Sequence, residues 1–267
     1  MARLCHTARL ARPTYDPSLE PLKILAVVPA RYGAARLPGK PLADLGGRPV
    51  VQWVFEAAAA CSDFDEVVVA TDNEAIAACV RGFGGRVELT RDDHRTGTDR
   101  VAEVAARHPD AEIVVNVQGD QPFATPDMLS ALVEPYRSGQ TPAMTTLACP
   151  LSDPALMSDP NVVKVVCDIH GDALYFSRSP IPHVVGDGKA PTLHHLGLYA
   201  FSRETVLAFP SFEPTPLEGA ERLEQLRALE HGVSIRVCVT TRAVTEINTP
   251  ADLEEARRGL AGLQWTR

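Results

Sequence analysis

Three things are missing from this 267-residue chain, and each absence removes a class of function. No apolar run approaches the roughly 20 residues that a membrane-spanning helix needs. The six cysteines, Cys5, Cys61, Cys79, Cys149, Cys167 and Cys238, show no paired ligand spacing, which argues against a zinc cluster. Most sit in apolar runs and read as small buried hydrophobes of a reducing compartment, not as a disulfide framework. There is also no excess of positive charge. The 26 Lys and Arg face 34 Asp and Glu, and the net charge of −8 speaks against a general nucleic-acid binder. The amino terminus carries Arg3, Arg9 and Arg12 without the continuous apolar core of a signal peptide, so a cytoplasmic protein is expected. With 45% hydrophobic and 22% charged residues, what remains is an ordinary globular composition.

Against this acidic background one stretch is basic. After the apolar run Ile24 to Val28, the loop to Pro41 places Arg31, Arg36 and Lys40 within ten residues, with Gly33 and Gly39 between them. Clustered cations, and glycines that let backbone N–H groups approach a ligand, read as a cradle for a nucleotide triphosphate. It is not a Walker A loop, because five residues separate Gly33 from Gly39 where that loop has four, and Pro41 follows Lys40 where a Ser or Thr would be needed. Such a loop belongs beyond the carboxyl end of a parallel strand, where open α/β sheets bind their ligands.

The rest of the chain alternates accordingly. Helical spacing over Val50 to Ala60, the β-branched run Glu66 to Ala70, a glycine-ended helix over Asn73 to Phe83 and a short strand Arg86 to Leu89 set a βαβα rhythm. A helix over Asp99 to His108 and a strand Glu112 to Val117 continue it. That strand delivers Gln118, Gly119 and Asp120 to the crevice of the cradle, where the Asp120 carboxylate is suited to magnesium, which takes oxygen ligands and bridges carboxylates to phosphates. Prolines and short apolar segments between about 140 and 210 break the rhythm and predict an insertion. Pro216 to His231 is expected to be one amphipathic helix ended by Gly232, Ile235 to Val239 a last strand, and Pro250 the first residue of a last helix. Residues 1–22, with Pro13, Pro17 and Pro21, lack periodicity and are expected to be a tail to a single domain over 23–267.

Pro29-Ala-Arg-Tyr32 with Arg36-Leu-Pro-Gly-Lys-Pro-Leu42, Asn116-Val-Gln-Gly-Asp120, Leu174-Tyr-Phe-Ser-Arg178, His195-Leu-Gly197 and Leu223-Glu-Gln-Leu-Arg227 together resemble the 3-deoxy-manno-octulosonate (Kdo) cytidylyltransferases, over about residues 24 to 258. The resemblance implies a Rossmann-like α/β nucleotidyltransferase with a mostly parallel sheet, in which the 140–210 insertion forms part of the acceptor pocket and a homodimer interface. It implies that Arg91 and Thr98 contact the nucleotide, that Arg178, His195, Tyr199, Glu224 and Gln225 hold the acceptor, and that position 248 is a second magnesium ligand. Two departures stand out. The family's Gly-Asp-Glu-Pro is here Gly119-Asp-Gln-Pro122, and its Val-Asp-Thr-Pro is Ile247-Asn-Thr-Pro250, so two carboxylates are replaced by amides.

The implied reaction is transfer of CMP from CTP to an acidic, Kdo-like acceptor with release of pyrophosphate, using Mg2+. Arg36, Lys40 and Asp120 would supply most of the charge stabilisation. The lost charges leave two alternatives open: a cytidylyltransferase that activates a small phosphonate acid, and a catalytically inactive nucleotide sensor.

Overall fold

The computed structural model describes residues 22–33, 36–186, 191–241 and 243–262. In chain order, β1 (Ile24–Pro29) is followed by the hairpin β2 (Asp44–Leu45) and β3 (Arg48–Pro49), then α1 (Val50–Ala59), β4 (Glu66–Thr71), α2 (Glu74–Gly82) and β5 (Val87–Leu89). Next come α3 (Gly97–Arg107), β6 (Ile113–Asn116), α4 (Pro126–Arg137), β7 (Met144–Pro150) and α5 (Pro154–Ser158). The chain continues through β8 (Lys164–Cys167), β9 (Ala173–Ser177), β10 (Leu193–Ser202), α6 (Arg203–Ala208), α7 (Pro216–Glu221), α8 (Gln225–Glu230), β11 (Ile235–Val239) and α9 (Pro250–Gly262).

Strand β1 explains the layering. Its alternation sends Ile24, Ala26 and Val28 into one core and Leu25 and Val27 into the other, so neither side meets water. Helices α1, α2, α4 and α9 cover the first face, through residues such as Val54, Ile76, Leu132 and Leu253. Helices α3, α6 and α8 cover the second, through Val104, Val206 and Leu226. The nine-stranded sheet runs β11-β7-β10-β6-β1-β4-β5, and along that path only β10 opposes its neighbours. The carboxyl ends of β1 and β6 therefore lie side by side, and the antiparallel β10 brings its amino-terminal half to the same edge. No helix among the described residues is long and apolar enough to cross a membrane.

Several expectations need correction. The stretch 140–210 is not set apart from the sheet, because β7 and β10 are two of its central strands, and only the ribbon β8–β9 hangs off the path. Within that ribbon Val165 and Phe176 are core residues, while Ile169 and Leu174 face outward. The single helix expected over Pro216 to His231 is two short ones. Arg222 takes the left-handed conformation at φ 54° between them, and Leu217 stays exposed. The kink turns Gln225, Leu226, Arg227 and Ala228 inward, and the buried Arg227 grips Glu218 across the break. Of the expected tail, residues 1–21 lie outside the described residues, while Leu22 packs against the first core.

Candidate active site

Beyond the carboxyl ends of β1 and β6 lies a cavity of about 390 Å³. Arg31, Arg36 and Lys40 wall it from the loop after β1, Gln118 and Asp120 from the loop after β6, and Asn248 from the turn before α9. Two glycines make this closeness possible. Gly39 holds φ 71° where the chain turns into Lys40, and a Cβ on Gly119 would come within 2.6 Å of the Pro29 carbonyl oxygen. Lys40 Nζ donates to Asp120 Oδ2 at 3.0 Å, both side chains being partly buried. Asp120 is further fixed by its own carbonyl, which accepts from the backbone N–H of Ile247 at 2.8 Å.

The fourth wall is the start of α3. That helix begins two residues earlier than expected, because Thr96 and Asp99 form a reciprocal capping box. Thr96, Gly97 and the buried Arg100 thereby join the cavity, placing a positive helix end and a fourth cation beside the cradle. Asp72 pairs with Arg100 at 3.3 Å, and Thr90 accepts from it.

Three residues assigned to the nucleotide lie elsewhere. Gly33 does not wall the cavity. Thr98 is buried behind it, donating to Glu224 Oε2 at 3.2 Å and accepting weakly from Asn116. Arg91 walls a separate cavity of about 370 Å³. Its loop is drawn onto the flank of α3, where Glu103 accepts from the Arg91 backbone N–H at 3.1 Å and bonds His94. Its exposed side chain lies 3.3 Å from Asp93.

A larger cavity of about 990 Å³ adjoins the first, and Arg36 and Asn248 wall both. Arg178, His195, Tyr199 and Gln225 all face it, whereas Glu224 does not. Two nitrogens of Arg178 are already engaged, by the carbonyls of Glu221 (2.8 Å) and Pro160 (2.9 Å), so only part of its fork remains for a ligand. Arg222, not singled out by the sequence, adds a cation to this wall. Its left-handed backbone is the kind of local strain that gathers at binding sites.

Hydrogen bonds fix the polarity of the far wall. Thr146 Oγ1 donates to the Leu198 carbonyl at 2.7 Å and so accepts from His195 Nε2 at 2.9 Å. His195 Nδ1 is then free to accept from Gln225 Nε2 at 3.5 Å, while Tyr199 donates to Gln225 Oε1 at 3.1 Å. Burial above all, then His194, pushes His195 down to about 3, so it stands in the wall as a neutral ring. Burial also raises Glu224, whose Oε1 has neither solvent nor a partner among the described residues.

In the wall of the larger cavity, beside Asn248, stands Glu246, which the sequence reading passed over. Its Oε1 accepts from Gln121 Nε2 at 3.2 Å and its Oε2 from Asn248 Nδ2 at 2.9 Å. The two amides that replace family carboxylates thus converge on one carboxylate. Gln121 also donates to the Leu196 carbonyl, so both its neighbours are acceptors and a Glu there would be repelled.

A divalent ion fits this donor set: Asp120 and Asn248 present a carboxylate and an amide to one cavity. No cluster of three or more His, Cys, Asp or Glu suited to a metal occurs among the described residues, so the nucleotide's phosphates would have to complete the coordination.

Comparison with known proteins gives the family. The cytidylyltransferase family model matches residues 25–235. A 3-deoxy-manno-octulosonate cytidylyltransferase of Acaryochloris marina is 58% identical over 236 residues, covering 88% of this chain and 96% of the relative. One of Synechococcus elongatus is 51% identical over 238 residues, covering 88% and 97%. Among solved structures, CMP:2-keto-3-deoxy-manno-octonic acid synthetase complexed with CTP superposes with a TM-score of 0.86 at 41% identity, covering 90% of this chain and 99% of the other. A 4-diphosphocytidyl-2C-methyl-D-erythritol synthase of Anaerococcus prevotii shares the fold at 17% identity, with a TM-score of 0.62 and coverage of 90% and 96%. The chain with the cationic cradle after β1 and the paired cavities belongs to the cytidylyltransferase family, among the 3-deoxy-manno-octulosonate cytidylyltransferases.

Proposed function

We propose that this protein transfers CMP from CTP to a Kdo-like sugar acid and releases pyrophosphate. The observation that carries the reading is the pair of cavities that share Arg36 and Asn248, one cationic and small, the other large enough for a multi-carbon acid. The triphosphate lies against Arg31, Arg36, Lys40 and Arg100, with the amino end of α3 beside it. The acid lies in the larger cavity, its carboxylate facing Arg178 and Arg222 and its hydroxyls facing Tyr199 and Gln225. An acceptor hydroxyl oxygen then attacks the α-phosphorus in line and gives up its proton to solvent, a new P–O bond forms, and the bond from the α-phosphorus to the oxygen bridging to the β-phosphate breaks, leaving pyrophosphate. Holding the two reactants in register contributes most of the rate, because the protein need form no covalent bond itself. Mg2+ held by Asp120 and Asn248 would neutralise charge on the phosphates when bound. Arg36 serves both halves of the reaction.

The larger cavity's volume favours a sugar acid over a small phosphonate. As part of the same reading we place the enzyme in the cytoplasm as a homodimer, with exposed Ile169 and Leu174 on the β8–β9 ribbon as the contact. The test is pyrophosphate release with CTP, ATP, GTP or UTP against a panel of sugar acids and phosphonates, with and without Mg2+. Turnover requiring CTP, a sugar acid and Mg2+ is expected. Turnover with phosphonates alone would move the acceptor class, and CTP binding without turnover on any acid would make the protein a sensor. Light scattering across a dilution series reads the dimer, and Ile169→Asp is expected to shift it to monomer.

A further inference from the structure

Glu246 differs from every other acid of the crevice in how it is held. Each of its oxygens accepts one amide hydrogen, from Gln121 on one side and Asn248 on the other, and these partners come from segments 125 and 2 residues away. A carboxylate oxygen has room for a second donor. Glu246 is exposed, and it lines the larger cavity. No cation pairs with it among the described residues, so its charge is directed at whatever fills that cavity. Gly197 sits beside it at a bulge in β10, in the left-handed conformation at φ 69°, and a Cβ there would lie 3.9 Å from Glu246 Oε1. This leaves the carboxylate uncovered on the β10 side.

We propose that Glu246 is a specificity-determining residue that accepts hydrogen bonds from acceptor hydroxyls, selecting a polyhydroxylated acid and disfavouring a compact dianion such as a phosphonate. The inference rests on the cytidylyl-transfer reading and deepens it. The negative charge absent at positions 121 and 248 is gathered on Glu246 instead, displaced from the phosphate cavity toward the acceptor. Gln121 and Asn248 fix its orientation, so that it presents lone pairs without rotating. A hydroxyl hydrogen is an apt partner there. A phosphonate oxygen, which at neutral pH brings mostly negative charge, meets repulsion.

The test compares wild type with Glu246→Gln and Glu246→Ala, using an eight-carbon 3-deoxy-2-keto sugar acid, its mono-deoxy analogues and 2-aminoethylphosphonate. CTP affinity and thermal midpoint, read without acceptor, serve as controls for folding. Wild type is expected to lose about ten- to a hundredfold in kcat/KM when the contacted hydroxyl is removed, as for a hydrogen bond to a charged group. Glu246→Ala is expected to lose a similar factor with the full acid, mainly in KM, and to be indifferent to that one deoxygenation. Both variants should narrow the gap between sugar acid and phosphonate. Equal discrimination among the deoxy acids in wild type and variants would overturn the inference, as would a uniform loss that leaves their ratios unchanged. A wild type inert toward every sugar acid would instead overturn the cytidylyl-transfer reading itself, whatever the variants do.

Discussion

Lys40 and Asp120, 80 residues apart in sequence, meet at 3.0 Å in the wall of the smaller cavity. Lys40 is thus already paired with a carboxylate of the protein, and in the proposed reading a phosphate of CTP shares it. Replacing Lys40 by Ala removes a charge-assisted contact and is expected to weaken CTP binding roughly ten- to a hundredfold, or about 1.5 to 3 kcal/mol. The fold should persist, because the pair lies at the edge of the core. Calorimetric titration with CTP checks this, and an unchanged affinity would remove the cradle from the site.

Asp120→Asn is expected to reduce turnover by tenfold or more and to shift half-saturation by Mg2+ to higher concentration. It replaces a carboxylate in the cavity by a weaker, neutral oxygen ligand. Activity titrated with Mg2+ at saturating CTP gives the answer. A normal magnesium response in the variant would place the metal on other groups.

Asn248→Asp brings a carboxylate to within hydrogen-bond distance of Glu246, where the amide now donates at 2.9 Å. Without metal the variant is expected to lose on the order of 1 kcal/mol of stability, the cost of turning a bonded pair into two facing acceptors. The double variant Asn248→Asp with Glu246→Gln should recover it, since Gln can donate. Thermal midpoints with and without Mg2+ and CTP test the coupling, and Mg2+ is expected to shrink the deficit. Additive effects of the two substitutions would mean that the pair is not in contact.

His195 gives a pH prediction. An unfolded histidine takes up its proton near pH 6.5, whereas His195 in the wall is held down to about 3. Between these values the unfolded chain binds a proton that the native protein refuses, so stability falls as the pH falls, by about 1.4 kcal/mol per unit from this group. Urea unfolding at pH 7 and pH 5 should show wild type losing on the order of 2 kcal/mol more than His195→Asn. Equal losses would contradict the assignment. An imidazole proton resonance of His195 that moves between pH 5 and 8 would contradict it independently.

The strands that frame the site were legible because their signals are local. Ile24 to Val28 and Glu66 to Ala70 are runs that suit a strand buried on both faces, and Asp120 follows a third such run, Glu112 to Val117. Thr96, Gly97 and Arg100 were missed although the signal was present: Thr96 and Asp99 stand at capping-box spacing, and starting the helix at Asp99 hid the residues that wall the smaller cavity. The break at Arg222 had no local signal. A left-handed arginine is imposed by the inward turn of Gln225 and the Arg227–Glu218 pair, which are tertiary causes. Glu246 was invisible for a similar reason, since its meaning depends on Gln121, which only folding brings to it.

The lack of room for a Cβ between Gly119 and the Pro29 carbonyl oxygen also bears on mechanics. The loops after β1 and β6, each leaving a strand buried on both faces, approach so closely there that no side chain fits between them. A side chain at position 119 would act as a shim, prising Arg31 and Lys40 away from Asp120 without touching a substrate.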